Sequence, residues 1–268
     1  MPDVWSTVTE LDAAIQQRLS DVLEARGADA QQQAMRQSFL SDIEFPDRAQ
    51  VLEVGCGTGV LTRVLARWPG VGSVIGVDPA VPLLARAREL AKDLSNVTLQ
   101  DADGRSLPFE DAAFDVVVFD STLSHVPNPK RALTEAFRVL RPGGLLATFD
   151  GDYSTTTVAL GDHDPLQTCV DAMMAASVND RRVMRRLPAL LAECGFERAS
   201  FRSYGFAETT GGPYMLSVID RGADILCASG LIGGDLAAGL KAEARRRAEA
   251  AAFFGHIAYA SLCARRPF

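Results

Sequence analysis

The amino-acid sequence predicts an α/β protein built on a mostly parallel sheet of seven strands, with helices on both faces. Short apolar runs alternate with helical patterns from Ala49 to Asp150, which is the rhythm of a parallel sheet with crossover helices. Residues 116–119 read VVVF and are apolar throughout, as in strands that are buried on both faces. Two more strands are predicted over residues 197–206 and 257–266, which completes the seven.

Two helices are predicted ahead of the first strand. Apolar residues recur at helical spacing over residues 8–26, and Gly27 is expected to end that helix. A second helix is predicted over residues 28–41. Because both helices precede the sheet, residues 1–44 are expected to form an N-terminal helical cap across the core at residues 45–150.

The second half of the chain interrupts the regular alternation of strands and helices. Residues 151–182 are predicted to be an irregular insertion. Residues 183–206 and 256–268 supply a helix and the last two strands of the sheet. Between those strands, residues 207–255 are predicted to hold a helical insertion with two helices. The second of these contains the charged run KAEARRRAEA, which is typical of a solvated helix face.

Composition narrows the functional classes. The 268 residues include five scattered cysteines without a Cys-x-x-Cys pair, so neither a disulfide framework nor a zinc site is indicated and a reducing, cytoplasmic location is expected. The sequence shows no leader peptide and no stretch of about 18 to 20 apolar residues, so no membrane association is expected. A net charge of −7 opposes nonspecific attraction to nucleic acid and favours a small-molecule partner.

The strongest local motif is VLEVGCGTG at residues 51–59, where a buried strand runs into Gly55, Gly57 and Gly59. Glycines at such a turn permit positive φ angles and let a ligand approach the backbone closely. A tight strand-to-helix turn without a ligand is the alternative. A dinucleotide fingerprint would need its third glycine at Val60, so the motif departs from the nicotinamide and flavin pattern.

Asp78 ends the second predicted strand, 19 residues after Gly59. A carboxylate at this position is suited to accept hydrogen bonds from both hydroxyls of a ribose. Because Pro79 follows, Asp78 could instead stabilise the start of the next helix. The two roles are compatible.

These residues resemble the class I S-adenosylmethionine-dependent methyltransferases, in particular the methyltransferase type 11 group that includes enzymes of ubiquinone and menaquinone biosynthesis. The resemblance covers residues 49–148 and rests on four blocks that occur in order. They are VLEVGCGTG, GVDPA, QDADGRSLPFEDAAFDVVVF and LSHVPNPKRALTEAFRVLRPGG. The resemblance implies a Rossmann-like fold and makes residues 45–150 an S-adenosylmethionine-binding core.

The resemblance also assigns roles to individual residues around S-adenosylmethionine, whose product is S-adenosylhomocysteine. Asp78 would hold the ribose and Pro79 would flank the adenine. Asp103 matches the aspartate that reads the adenine amino group, with Asp101 as its rival. The methionine moiety would lie near the first glycine-rich turn and the end of the fourth strand. The remaining residues implied at the cofactor are Glu53, Gly55, Cys56, Gly57, Ala102, Gly104 and Ser121.

Methyl transfer needs a base only when the acceptor must lose a proton, because positioning of the acceptor supplies much of the rate. His125 is the candidate base, since its loop would open onto the methyl donor, although it could simply order that loop. His163 lies between Asp162 and Asp164, a pattern that is more typical of a turn than of a metal site, so no metal is expected. His256 is expected to be structural.

The acceptor is expected to be selected by the N-terminal helices and by the two insertions, of which residues 151–182 would lie on the substrate side. Asp152, Tyr153, Tyr204 and Tyr214 are the candidate substrate-binding residues. They favour an apolar or aromatic, natural-product-like acceptor. The apolar helices of the insertions also make a homodimer plausible.

Three alternatives stay open on the sequence alone. A protein of the same fold could bind S-adenosylmethionine without transferring its methyl group, as a cyclase or as a regulatory protein. A nucleotide-dependent oxidoreductase is opposed by Val60 and by the block around Asp103. A non-catalytic binding protein would be favoured by a degraded glycine motif or a lost Asp78, and this sequence retains both.

Overall fold

The computed structural model describes residues 12–268, except for the side chains of residues 198 and 199. Seven strands form one sheet: β1 (Ala49–Val54), β2 (Val71–Asp78), β3 (Val97–Asp101), β4 (Phe114–Asp120), β5 (Leu140–Thr157), β6 (Glu197–Glu208) and β7 (Gly255–Arg265). Their order is β3-β2-β1-β4-β5-β7-β6. Strands β1 to β5 pair in parallel, whereas β7 is antiparallel to both β5 and β6. The predicted fold class is confirmed.

Helices cover both faces of this sheet. The helices are α1 (Ala13–Ala28), α2 (Ala30–Ser41), α3 (Val60–Leu65), α4 (Val81–Leu90), α5 (Pro129–Val139), α6 (Pro165–Ser177), α7 (Val183–Glu193), α8 (Pro213–Ala228) and α9 (Gly234–Glu249). Helices α5 and α7 share one apolar core with the sheet, and α2, α3, α6 and α8 share the other. Over residues 12–268, no helix combines the length and the apolarity needed to span a bilayer.

The N-terminal helices differ from the prediction at their junction. Helix α1 runs through Gly27 to Ala28, so the expectation that Gly27 ends the helix was wrong. A Cβ atom on Gly27 would lie 2.6 Å from Cγ1 of Val60, so this glycine allows α1 to pack closely against α3. Asp29 instead separates the helices, since its side chain accepts a hydrogen bond from the backbone N–H of Gln32 at the start of α2. Residues 8–11 of the predicted first helix lie outside the described residues.

The segment at residues 151–182 is largely regular, so the prediction of an irregular insertion was wrong. Strand β5 continues to Thr157 because β7 pairs with it beyond Asp150, up to the Thr157–His256 pair. Helix α6 follows, with Asp164 as its N-cap and Pro165 at its first position, a combination that favours a helix start. The β-branched run TTT and the Asp-Pro pair were the signals for these two elements.

The charged run on α9 does more than face solvent. Arg245 pairs with Asp220 of α8 at 2.7 Å. Arg247 pairs with Asp164, whose side chain is only 4% exposed. These ion pairs tie α9 to α8 and to the start of α6. The interpretation of this run as a solvated face therefore holds for only part of the helix.

Candidate functional site

A cavity of about 280 Å³ lies where the carboxyl ends of β1, β2 and β4 meet, close to the size range of small-molecule sites, about 300 to 1,000 Å³. Parallel strands bring the residues that follow them to one edge of the sheet, and ligands of open α/β sheets bind there. Ten predicted site residues line the cavity, and Ala102 is the one predicted cofactor residue outside this set. The ten are Glu53, Gly55, Cys56, Gly57, Asp78, Pro79, Asp103, Gly104, Ser121 and His125.

The glycine-rich turn after β1 requires its glycines. Gly55 and Gly57 have φ angles of +76° and +52°, in the left-handed region that disfavours residues with a Cβ atom. At Gly55 a Cβ atom would also lie 2.4 Å from Cγ2 of Thr122. The turn exposes the backbone to the cavity beside Thr58, whose buried hydroxyl has no hydrogen-bond partner among the described residues. A polar ligand in the cavity would give that hydroxyl a partner.

Asp78 connects this turn to the next helix. Its Oδ2 accepts a hydrogen bond from the N–H of Gly57, and its Oδ1 accepts one from the N–H of Ala80, both at 2.8 Å. The residue is 8% exposed, and burial raises the pKa of its carboxyl to about 6 although both N–H groups act in the opposite direction. A carboxylate can accept about four hydrogen bonds, so Asp78 stabilises the loop and keeps acceptor capacity toward the cavity.

Glu53 lies deeper, at the end of β1, and is 2% exposed. Burial raises the pKa of its carboxyl to about 8, although a hydrogen bond from the Thr62 hydroxyl acts in the opposite direction. The side chain is therefore mostly protonated at neutral pH. A protonated Glu53 can donate a hydrogen bond toward the cavity as well as accept one.

Asp103 and Gly104 form the wall beyond β3. The Asp103 carboxylate makes a two-pronged ion pair with Arg105, at 2.7 Å for the closer contact, which lowers the pKa of the aspartate. Asp101, the rival candidate, is exposed and does not line the cavity. Pro79 and Leu83 add apolar surface nearby, so this end offers a flat ligand both an apolar face and a hydrogen-bond acceptor.

The loop after β4 forms the opposite wall. Ser121 has a φ angle of +53°, which is unusual for a residue other than glycine, and its N–H donates to the carbonyl of Phe149 at 2.7 Å. Asp150, at 1% exposure, holds the loop by accepting hydrogen bonds from the N–H and the hydroxyl of Ser124. His125 follows directly and lines the cavity. Burial raises the pKa of Asp150, and the charge of nearby His125 partly offsets that effect.

Four charged residues of the cavity were not predicted, and one of them is Arg105, the partner of Asp103 described above. Arg26 of α1, Arg36 of α2 and Asp120 at the end of β4 all line the cavity. The Nε of Arg36 donates to Oδ2 of Asp120 at 2.6 Å, and both side chains are less than 10% exposed. Arg26 continues the apolar stripe formed by Leu19 and Leu23. The position of Arg26 on this apolar face of the helix was the signal in the sequence that its side chain faces the interior.

The four predicted substrate-binding residues do not line the cavity. Asp152 is paired with Arg185 at 2.6 Å, and Tyr204 shares a hydrogen bond with Ser261 at 3.1 Å. Tyr153 is 4% exposed. Tyr214 packs behind the cavity wall, with the guanidinium carbon of Arg26 5.8 Å from its ring centre. None of the four therefore contacts this cavity directly, and their role in binding the acceptor stays a prediction.

The other two histidines, His163 and His256, also lie outside the cavity. His163 has a φ angle of +60° and precedes the N-cap of α6, as in the turn that was the alternative to a metal site. Among residues 12–268, no group of three or more His, Cys, Asp or Glu side chains is arranged to hold a metal ion. His256 lies in β7, and its ring stacks on Phe254.

The core of this chain is similar to known methyltransferases. Residues 52–148 match the family model described as the methyltransferase domain. Demethylmenaquinone methyltransferase of Staphylococcus saprophyticus is 34% identical over 129 residues, which are 48% of this chain and 55% of that protein. The chain therefore matches only about half the length of this curated relative.

Solved structures extend the likeness to most of the chain. A candidate methyltransferase from Bacillus halodurans superposes with a TM-score of 0.63 at 20% identity, over 87% of this chain and 98% of that one. The cyclase SpnF superposes with a TM-score of 0.56 at 25% identity, over 90% of this chain and 85% of that one. The resemblance found in the sequence is confirmed to this extent: residues 52–148 match the methyltransferase domain model, and the chain shares the fold of these solved structures.

Proposed function

We propose that this protein transfers the methyl group of S-adenosylmethionine to a small-molecule acceptor. The observation that carries the proposal is the shared cavity. It joins a turn with three left-handed glycines, the buried Asp78 and the wall at Asp103, each at the carboxyl end of a parallel strand.

The residues fit the proposed donor. Asp78 retains acceptor capacity for ribose hydroxyls, and Asp103 provides an acceptor for an amino group beside the apolar surface of Leu83. The unpartnered hydroxyl of Thr58 and the protonated Glu53 can serve the polar methionine end. When bound, S-adenosylmethionine supplies a methyl group on a sulfonium, which makes that carbon open to attack by a nucleophile.

His125 supports the catalytic part of the proposal. It lies in the loop that faces the glycine-rich turn across the cavity, so it is placed to accept a proton from an acceptor hydroxyl or amine. The rest of the rate would come from the walls, which exclude water and hold the acceptor in line with the donor. An apolar or aromatic acceptor is favoured, because Val60, Leu61 and Val126 contribute to the same walls.

Donor binding tests this proposal. Calorimetric titration should show that S-adenosylhomocysteine binds to the wild type and at least about tenfold more weakly to Asp78→Asn, because hydrogen bonds to a charged acceptor are lost. Asp101→Asn is the matched control, since Asp101 lies beside Asp78 in the sheet but outside the cavity. A folded wild type that does not bind S-adenosylhomocysteine would overturn the proposal.

A second candidate is a protein that binds the donor without transferring its methyl group. The likeness to the cyclase SpnF at 25% identity favours it. Methyl-labelled S-adenosylmethionine separates the two functions. Transfer of the label to an acceptor would identify a methyltransferase. Conversion of an unsaturated substrate to a cyclised product, with the label retained in the bound donor, would identify a cyclase.

A further inference from the structure

Arg26 provides a cation that lines the cavity. Within residues 12–268, no carboxylate forms an ion pair with it. Its Nη2 makes two long hydrogen bonds, both of 3.4 Å, to the hydroxyls of Ser121 and Tyr259. Its Nε is buried and has no hydrogen-bond partner among the described residues. A guanidinium in this state retains most of its capacity to bind an anion.

The neighbouring charges do not neutralise Arg26. Asp120 is already bound to Arg36 at 2.6 Å, so the two arginines share one carboxylate. Asp103 is paired with Arg105. Burial keeps Glu53 mostly protonated at neutral pH. Asp78, the remaining carboxyl group of the cavity, accepts hydrogen bonds from the N–H groups of Gly57 and Ala80 and forms no ion pair with Arg26.

The proposed donor carries a carboxylate but would not lower the positive charge near Arg26. The ammonium and sulfonium charges of S-adenosylmethionine outnumber its one carboxylate, so its binding would add positive charge to the site. Arg26 lies between two parts of the chain. It donates to Ser121 at the end of β4 and to Tyr259 of β7, and the ring of Tyr214 of α8 lies 5.8 Å from its guanidinium carbon. Helix α8 belongs to the insertion at residues 207–255, which is expected to select the acceptor.

We infer that Arg26 binds an anionic oxygen of the methyl acceptor, so that the substrates of this protein are acids with a carboxylate or a phenolate group. This inference rests on the proposed function. The planar guanidinium can present two parallel N–H groups to two oxygens of one carboxylate. The apolar lining of the cavity, which includes Leu23 and Val126, suits an acceptor with an apolar body.

Two small probes test the inference on the protein saturated with S-adenosylhomocysteine. Benzoate carries the anionic oxygens, and benzamide has nearly the same shape without the charge. NMR titration should show that the wild type binds benzoate at least about tenfold more tightly than benzamide. Arg26→Gln should abolish this preference, and Arg26→Lys should retain part of it because it keeps the charge but not the planar fork.

Controls distinguish this role from a structural one and from a contact with the donor. Arg18→Gln changes an exposed arginine on the same helix and should leave the preference intact. Arg26→Gln should lower the midpoint of thermal unfolding by only a few degrees, because the two lost hydrogen bonds are long. It should also leave the affinity ratio of S-adenosylhomocysteine to 5′-methylthioadenosine, which lacks the amino-acid carboxylate, within about threefold of the wild type.

Three results would overturn the inference. One is a wild type that binds S-adenosylhomocysteine but shows no preference for benzoate, and another is a preference that survives in Arg26→Gln. The third is a collapse of the ratio of S-adenosylhomocysteine to 5′-methylthioadenosine in Arg26→Gln, which would assign Arg26 to the donor's own carboxylate. A wild type that fails to bind S-adenosylhomocysteine would instead overturn the proposed function, and this inference with it.

Discussion

Breaking the buried ion pair between Arg36 and Asp120 should destabilise the protein strongly. The pair joins helix α2 to the end of β4 at an Nε to Oδ2 distance of 2.6 Å, with side-chain exposures of 9% and 6%. Removing one partner of a buried pair leaves an uncompensated charge and costs about 3 to 5 kcal/mol. Since both residues also line the cavity, water can reach them in part, and we expect about 3 kcal/mol for Arg36→Met.

Asp120→Asn should cost a similar amount, because it leaves Arg36 unpaired while its own hydrogen bond from Ser121 can persist. The double variant carries neither charge. We expect its loss of stability to be no greater than that of the worse single variant, so the two losses should fall short of additivity by about 3 kcal/mol. Urea unfolding followed by circular dichroism measures all three values.

The surface pair between Arg202 and Asp42 provides the matched control. It has a similar distance of 2.9 Å, but the arginine side chain is 50% exposed. Arg202→Met should therefore cost less than about 1 kcal/mol. Strictly additive losses in the Arg36 and Asp120 variants would refute the reasoning, because they would show that the two charges do not compensate each other.

Three further predictions concern the site and the insertion helices. The carboxyl of Asp78 has a pKa of about 6 in the fold and near 3.8 ordinarily, so the free energy of unfolding should decrease as pH rises from about 4 to 6. Affinity for S-adenosylhomocysteine needs the ionised carboxylate and should fall about tenfold for each pH unit below 6. Calorimetry should show that Asp78→Asn removes this pH dependence of the affinity. Gly222→Ala should separate α6 from α8, because its Cβ would lie 1.9 Å from the carbonyl oxygen of Cys169, and urea unfolding should show a loss of more than about 2 kcal/mol. The control is Gly239→Ala on α9, whose Cβ would meet no atom within 4 Å and which should stabilise the protein by up to about 1 kcal/mol. His125→Asn should lower turnover by about 100-fold while donor affinity stays within about threefold, and equal losses of both would contradict a role as base.

Most of the sheet could be predicted because its strands are short, apolar and separated by helices with clear periodicity. Strand β4, with its run VVVF, and the glycine-rich turn after β1 are examples. Strand β5 was predicted only to Asp150. Its extension to Thr157 depends on antiparallel pairing with β7, a strand distant in the sequence, which no local pattern reveals.

The donor side of the cavity was also accessible from the sequence, since Asp78 and Asp103 follow strands at motif spacing. The acceptor side was not. Arg26 lies far from the motifs in sequence and reaches the cavity only because α1 packs over the ends of the strands. Tyr153, one of the candidate residues for the acceptor, is instead 4% exposed and does not line the cavity.

A crystal structure of the complex with S-adenosylhomocysteine would test the account most directly. In this complex the ribose hydroxyls should donate to Asp78, and the adenine amino group should donate to Asp103. The sulfur should lie on the side of Ser121 and His125, with space left beside Arg26 for an acceptor. A ligand bound outside this cavity, or one whose ribose makes no contact with Asp78, would contradict it.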